Sequence, residues 1–499
     1  MEDRALKSKL ARYIDAGFPI IYINTFEEDK VDVIITQISY GKEVYEWNEI
    51  NGYIDFETKT AIQEDCNLDQ MLEQLKTADL LDRKIILLKD VASYLDEPRI
   101  VSKIKGLARL INQGVDATII IVSSVLVIPK DLEKYITILE MDYLNTEEIK
   151  QIIQNFIQDN LRNQKVDEKL IDEFAVAFKG LTEFEILNLL ALSYADDGEL
   201  TKRDLRLIFE QKQQMIKKAG ILEMIPLKET IEDIGGLENL KEWFVRKAKV
   251  YKNMEDAKKY GVDMPKGVLI AGVPGCGKSL NAKAAANLFE VPLLRLDMGR
   301  LMGKYVGESE GNLRNAIALA EAISPCVLWI DELEKAFAGI GGSGGGAEVT
   351  TRLFGNFLTW MQEKESPTFV VATANDITKL PPELLRKGRF DEIFYVGLPN
   401  ATERERIFNI HIKKRRKEDL QYIKIDELVA KTEGFSGADI EGVVKDAVES
   451  AFADDKASIQ TTDILDAIKN THSLSEIMKE ALEKMTKEYE TRKFKNASR

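Results

Sequence analysis

Gly272, Val273, Pro274, Gly275, Cys276, Gly277, Lys278 and Ser279 spell Gly-x4-Gly-Lys-Ser. The run follows an apolar stretch, residues 267–270, and precedes a helical pattern that starts at Leu280. That context is what a phosphate-binding loop requires. Its glycines let backbone N–H groups turn inward around phosphate oxygens, and the helix N-terminus adds its positive end. Lys278 is placed to reach the β- and γ-phosphates, and Ser279 to hold Mg2+. A second constellation, Cys326-Val-Leu-Trp-Ile-Asp-Glu332, is an apolar strand ending in two acids. Uncompensated charge beside a core is costly, so adjacent carboxylates there imply a task. Asp331 suits the water shell of Mg2+, and Glu332 suits polarising a water that attacks the γ-phosphate. The implied chemistry is phosphoanhydride hydrolysis.

These residues need strands to hold them. Residues 267–270, 291–296, 326–330, 368–372 and 393–396 read as core strands, and helical patterns such as 312–323 and 349–361 separate them. Alternation of this kind predicts a parallel sheet flanked by helices. After Pro399 the strand signals stop, and residues 402–413, 426–432, 437–452 and 461–468 read as helices of a small lid. Residues 474–499 read as a charged amphipathic helix with a frayed end.

The first half repeats the plan faintly. Residues 19–24, 84–88, 118–122 and 135–139 read as its strands. Thr146-Glu-Glu148 parallels Thr402-Glu-Arg404, and Lys179-Gly-Leu-Thr-Glu183 parallels Glu433-Gly-Phe-Ser-Gly437, at nearly equal offsets. Duplication explains this better than chance. The copy lacks the chemistry: Thr25-Phe-Glu-Glu-Asp-Lys30 has no Gly-Lys-Ser, and Lys89-Asp90 stands where paired acids are expected. The expected fold is therefore α/β, with two modules of parallel αβα sheet plus helical lid. The first module is degenerate and lacks a phosphate-binding loop; the second is intact. The boundaries run 1–215 for the first module, 216–230 for a linker, 231–398 for the large ATPase subdomain, 399–475 for the lid and 476–499 for the tail.

Composition bounds the alternatives. The chain has 499 residues, 44% of them hydrophobic, and a formal charge of −15. Such an acidic balance argues against general nucleic-acid binding, and the basic run Lys413–Arg416 reads as a solvated helix end. Three cysteines and two histidines give neither a disulfide framework nor a zinc spacing. A reducing compartment, cytoplasmic or stroma-like, is the expectation, with no secretory signal. The longest apolar stretch, residues 117–128, is too short to span a bilayer. Cys276 invites a redox-switch reading, although a small filler residue fits better. Trp47 and Tyr53 read as packed aromatics before they read as binding ones.

From residue 231 to 474 the chain resembles the AAA branch of the AAA+ ATPases. Asp233, Ile234 and Gly235, in Asp-Ile-Gly-Gly-Leu, resemble the motif whose backbone flanks adenine. Asn375 resembles the polar sensor at the end of the fourth core strand. Arg386 and Arg389, in Leu-Leu-Arg-Lys-Gly-Arg-Phe-Asp391, resemble arginine fingers that reach a neighbouring subunit's ATP, although Lys387 stands where the family commonly has proline. His411, Gly437 and Ala438 match lid positions over ribose and adenine. Lys304, Tyr305 and Val306 resemble the pore loop that grips extended polypeptide, and the glycine-rich run 339–346 resembles a second one. The resemblance implies ATP and Mg2+ as cofactors, a homo-hexamer, and a protein substrate or adaptor that it does not identify. At a finer level, Ala16-Gly-Phe-Pro-Ile-Ile-Tyr-Ile23, Val44-Tyr-Glu-Trp47 and Asn51-Gly-Tyr53 resemble two-domain AAA ATPases encoded in cyanobacterial and plastid genomes.

Two functions fit these residues. The leading one is a ring-forming motor that remodels or unfolds proteins; the other is an ATP-dependent switch or scaffold without translocation. A protease within the chain is disfavoured, because no His-Glu-x-x-His occurs.

Overall fold

A computed structural model describes residues 3–39, 41–63, 65–141, 143–160, 166–301, 308–336, 345–386, 388–492 and 494–499. The chain divides into two compact units, Met1–Leu144 with Thr182–Glu185, and Asn145–Leu181 with Ile186–Arg499.

The first unit holds strands β1 (Ile20–Asn24), β2 (Glu43–Asn48), β3 (Gly52–Asp55), β4 (Ala61–Gln63), β5 (Lys84–Lys89), β6 (Ala117–Ser123) and β7 (Ile136–Glu140). They lie in the order β4-β3-β2-β5-β6-β1-β7. From β2 to β7 the pairs are parallel, and β3 and β4 extend the sheet antiparallel, with β4 at the edge. Side chains of a strand alternate between faces, and here both faces are buried. Ile20, Tyr22, Ile86, Leu88, Ile119 and Ile121 enter one core; Ile21, Ile23, Ile85, Leu87, Ile120 and Val122 enter the other. Two-sided burial is why these strands read as unbroken apolar runs. Trp47 and Tyr53 are buried, and the Trp47 indole donates to Cys66 O at 3.0 Å.

The second unit holds β8 (Leu222–Ile225), β9 (Gly267–Gly272), β10 (Leu293–Leu296), β11 (Cys326–Ile330), β12 (Thr368–Ala374), β13 (Glu392–Val396) and β14 (Lys495–Asn496). Their order is β14-β13-β9-β12-β11-β10-β8, parallel except that β8 runs antiparallel to β10. The lid follows as helices Ala401–Arg416, Ile425–Lys431, Gly437–Ala453 and Thr461–Lys469 around their own apolar core. Capping boxes at Asn400/Glu403 and Ser436/Asp439 fix where two of these helices begin. The same unit contains most of the helices Thr146–Asn160, Glu168–Phe178, Glu183–Asp197 and Asp204–Ala219.

Two segments differ from the sequence expectation. The stretch read as a linker contains β8, which pairs along Leu293–Leu296. The end expected to fray is tied down instead. Beyond helix Lys479–Arg492, β14 pairs with β13, Ala497 is fully buried, and Ala497 N donates to Tyr395 O at 2.8 Å. A backbone ladder needs no side-chain pattern, so a two-residue polar strand leaves little trace in sequence. Among the described residues, no helix is long and apolar enough to cross a membrane.

Candidate active site

Strand β9 is buried along its length and turns at Gly272, whose φ is +147°, because a Cβ there would stand 2.0 Å from Val396 O. Gly275 and Gly277 take left-handed φ of +72° and +80°, and Gly277 caps helix Lys278–Phe289. Only glycine adopts such angles freely, so the loop's shape follows from its sequence. Lys278 is buried, and its Nζ donates to Gly272 O at 3.0 Å and Val273 O at 2.7 Å. Burial holds its ammonium down to about 8. Burial pushes the Cys276 thiol up to about 11, which disfavours the thiolate that a redox switch requires.

Parallel pairing of β11 between β10 and β12 carries the acids to the same end of the sheet. Ser279 Oγ donates to Asp331 Oδ1 at 3.1 Å. Asn375 Nδ2 donates to Glu332 Oε1 at 3.2 Å, while Lys335 Nζ lies 2.6 Å from Glu332 Oε2. Glu332 adopts a left-handed φ of +51°, uncommon for a residue with a side chain and a frequent mark of functional positions.

Lys278, Ser279, Asp331, Glu332 and Asn375 all line one cavity of about 740 Å³. So do Asp233, Ile234, Gly235, Pro274, Gly275, Cys276, Gly277 and Leu280, and His411, Gly437 and Ala438 from the lid. Gly272 and Val273 sit behind the loop and hold Lys278 through their carbonyls. The lid touches the loop directly, since Ala438 N donates to Gly275 O at 2.9 Å. Burial lowers the pKa of His411, with Glu441 opposing and Arg415 adding to the shift. Ser279 and Asp331 offer oxygen donors, the ligand type that suits Mg2+.

Arg386 is exposed, and Arg389 is half-buried and donates to Glu383 O. Neither lines this cavity. Lys304, Tyr305 and Val306, and residues 339–344 of the glycine-rich run, lie outside the described residues.

Three side chains at the site went unread in the sequence. Thr373 donates to Asp331 Oδ1 and accepts from Glu332 N at 3.1 Å, tying both acids to β12. A hydroxyl near the end of the apolar run of β12 was the available signal. Glu334 is buried and accepts from Asn375 N at 3.0 Å, and burial raises its pKa. Glu403 is buried and accepts from Leu237 N at 3.0 Å.

Comparison with known proteins places this arrangement. The family model for the ATPase family associated with various cellular activities (AAA) matches residues 268–398, and that for the AAA+ lid domain matches 423–466. The models for the N-terminal and second domains of SpoVK-like AAA ATPases match residues 6–141 and 147–219. The chain belongs to the AAA ATPase family, whose members hydrolyse ATP. It is 41% identical over 478 residues to the "Uncharacterized AAA domain-containing protein ycf46" of Guillardia theta, covering 95% of this chain and 92% of that protein. The protein of the same name from Pyropia yezoensis is 38% identical over 475 residues, 95% of each chain. The resemblance to two-domain AAA ATPases of cyanobacterial and plastid genomes is thereby borne out. A "Proteasome-activating nucleotidase" of Saccharolobus solfataricus is 34% identical over 291 residues, 53% of this chain and 72% of that protein.

Proposed function

We propose that the chain is a Mg2+-dependent ATPase that assembles into a ring and remodels or unfolds protein substrates. The observation that carries this reading is the convergence of Lys278, Ser279, Asp331, Glu332 and Asn375 on one cavity that Arg386 and Arg389 do not line. Lys278 meets the β- and γ-phosphates. Ser279 would hold Mg2+ and Asp331 would orient its water shell, and the ion would neutralise charge on those phosphates. Glu332 polarises the attacking water, Asn375 sets the direction of its carboxylate, and Thr373 holds its backbone N–H. Asp233, Ile234, Gly235, His411, Gly437 and Ala438 enclose the nucleoside.

Arg386 and Arg389 complete a neighbour's site. A guanidinium stabilises charge on the transferring phosphoryl oxygens when supplied in trans. A head-to-tail contact of this type closes into a ring. Lys304, Tyr305 and Val306 then face the central channel. Similarity to a nucleotidase that activates the proteasome supports a substrate of unfolded or folded polypeptide. The first module supplies scaffold or docking surface and binds no nucleotide, and the chain works in the cytoplasm or an organelle stroma.

The test is the solution mass of full-length Glu332→Gln with and without ATP. A shift to about six subunits on adding ATP supports the ring. A species that stays monomeric or dimeric with ATP bound overturns it and leaves the ATP-dependent switch. Tyr305→Ala separates the two further: the motor loses ATP-coupled unfolding with nucleotide binding intact, whereas the switch keeps its activity.

A further inference from the structure

Helix Ala401–Arg416 opens on a capping box: Asn400 Oδ1 accepts from Glu403 N and Glu403 Oε2 accepts from Asn400 N, both at 3.0 Å. An acid at this position completes the cap with one oxygen. The other oxygen of Glu403 does not face water. The residue is 3% exposed, and its Oε1 accepts from Leu237 N at 3.0 Å, across 166 positions of chain.

The segment supplying that N–H is shaped around the carboxylate. Leu237 takes a left-handed φ of +60° and Gly236 one of +96°, and a Cβ on Gly236 would stand 2.5 Å from Glu403 Oε1. Gly235 lies against Ile407, one turn further along the same helix, where a Cβ would stand 2.5 Å from Ile407 Cγ1. Ile234, Gly235, Ile407 and His411 all line the cavity. A buried carboxylate that accepts two N–H groups makes charge-assisted bonds, roughly twice as strong as neutral ones.

We infer that Glu403 is a positioning residue that fastens segment 233–237 to the first lid helix, so that the nucleoside end of the cavity forms as one wall. Bound nucleotide leaves when the Glu403–Leu237 bond opens. This rests on the reading of the cavity as the ATP site.

The experiment measures dissociation of a fluorescent ATP analogue, together with KM and kcat for ATP, in full-length Glu403→Ala, Glu403→Gln, Asn400→Ala and Lys278→Ala. Glu403→Ala raises the dissociation rate and KM roughly tenfold and changes kcat less than about twofold. Glu403→Gln keeps one acceptor and recovers part of the loss. Asn400→Ala removes the cap's other half, leaves the bond to Leu237, and lowers melting temperature without moving KM. If Asn400→Ala and Glu403→Ala shift KM equally, or Glu403→Ala and Glu403→Gln release nucleotide at the wild-type rate, the inference is overturned. Should Glu403→Ala fail to fold, Glu403→Gln against Asn400→Ala decides. Wild-type affinity in Lys278→Ala would instead overturn the assignment of the cavity itself.

Discussion

The two sheets share a permutation and differ in what they present at its centre. In the first, β7-β1-β6-β5-β2 follow one another; in the second, β13-β9-β12-β11-β10 do. Taken in chain order within each set, the first strand lies between the fifth and the fourth, with the third and second beyond. After β9 come a glycine loop and a helix headed by Lys278. After β1 come Thr25–Glu27 and helix Glu28–Ile38, whose first turn carries Glu28 and Asp29. At the end of β11 stand two acids, and at the end of β5 stands Lys89. That lysine is buried, with its Nζ 2.9 Å from Asp32 and 3.4 Å from Glu46. The charges are exchanged: acid on the helix and base on the strand. A helix beginning with acids cancels the positive field that a phosphate needs. The apolar runs that build a sheet do not depend on which charges stand at its strand ends, so sheets of the same strand order can present different groups.

The sharpest way to break this comparison is Lys278→Ala. If the second module alone binds ATP, affinity falls by more than about a hundredfold, the worth of a lost charge-assisted contact to phosphate. Equilibrium titration that retains one tight site would locate nucleotide on the first module. Glu332→Gln comes next. It should bind ATP normally while kcat falls by roughly 10² to 10³, the scale of a lost general base; turnover at the wild-type rate would remove Glu332 from that role. Lys89→Met tests the other side. Removing one partner of a buried ion cluster costs about 3 kcal/mol, read as a lower denaturation midpoint of the first unit, with ATP affinity unchanged. An unmoved midpoint would mean that the exchanged charges are incidental.

Legibility followed burial. Strands β9, β11 and β12 were readable because both faces are covered and the apolar run is unbroken. Glu43-Val-Tyr-Glu-Trp-Asn48, which forms β2, mixes charge with aromatics, and β3 and β4 are only four and three residues long, so none announced itself. Loop and acids stand out because Gly-x4-Gly-Lys-Ser and paired acids at the end of an apolar strand are unusual there. Asn375 stands out only through the family resemblance, and the structure brings them to one cavity. Thr373, Glu334 and Glu403 were not legible, since they act through bonds to other side chains or to backbone groups distant in sequence. The exposed Arg386 shows the opposite limit: the family resemblance singles it out, yet it does not line the cavity of its own chain.

The smallest expected effect concerns the helices that follow each sheet. Those after the second sheet meet the nucleotide loop, whereas helix Glu168–Phe178 and its neighbours fasten elsewhere on the ATPase core. Lys179 Nζ donates to Ser324 O at 3.0 Å, just before β11, and Gly180 sits against Ile323. Beside them Lys212 is 3% exposed, and its Nζ donates to Ala177 O at 2.7 Å. Burial holds its ammonium down to about 7, and Lys179 adds to that shift. Cys326 cannot compensate near neutrality, because burial pushes its thiol up to about 12. The unfolded-state value is about 10.4, so between these values the unfolded chain binds the extra proton and the Lys212 contribution to stability rises with pH. Below pH 7 the folded state carries the buried charge at full cost. Lys212→Met removes that charge at similar length. It should therefore be more stabilising at pH 6 than at pH 9, the advantage shrinking by about 1.4 kcal/mol per unit above pH 7. Denaturant midpoints of both proteins at pH 6, 7.5 and 9 give the slope. A pH-independent difference would mean that Lys212 keeps its proton in the folded state throughout this range.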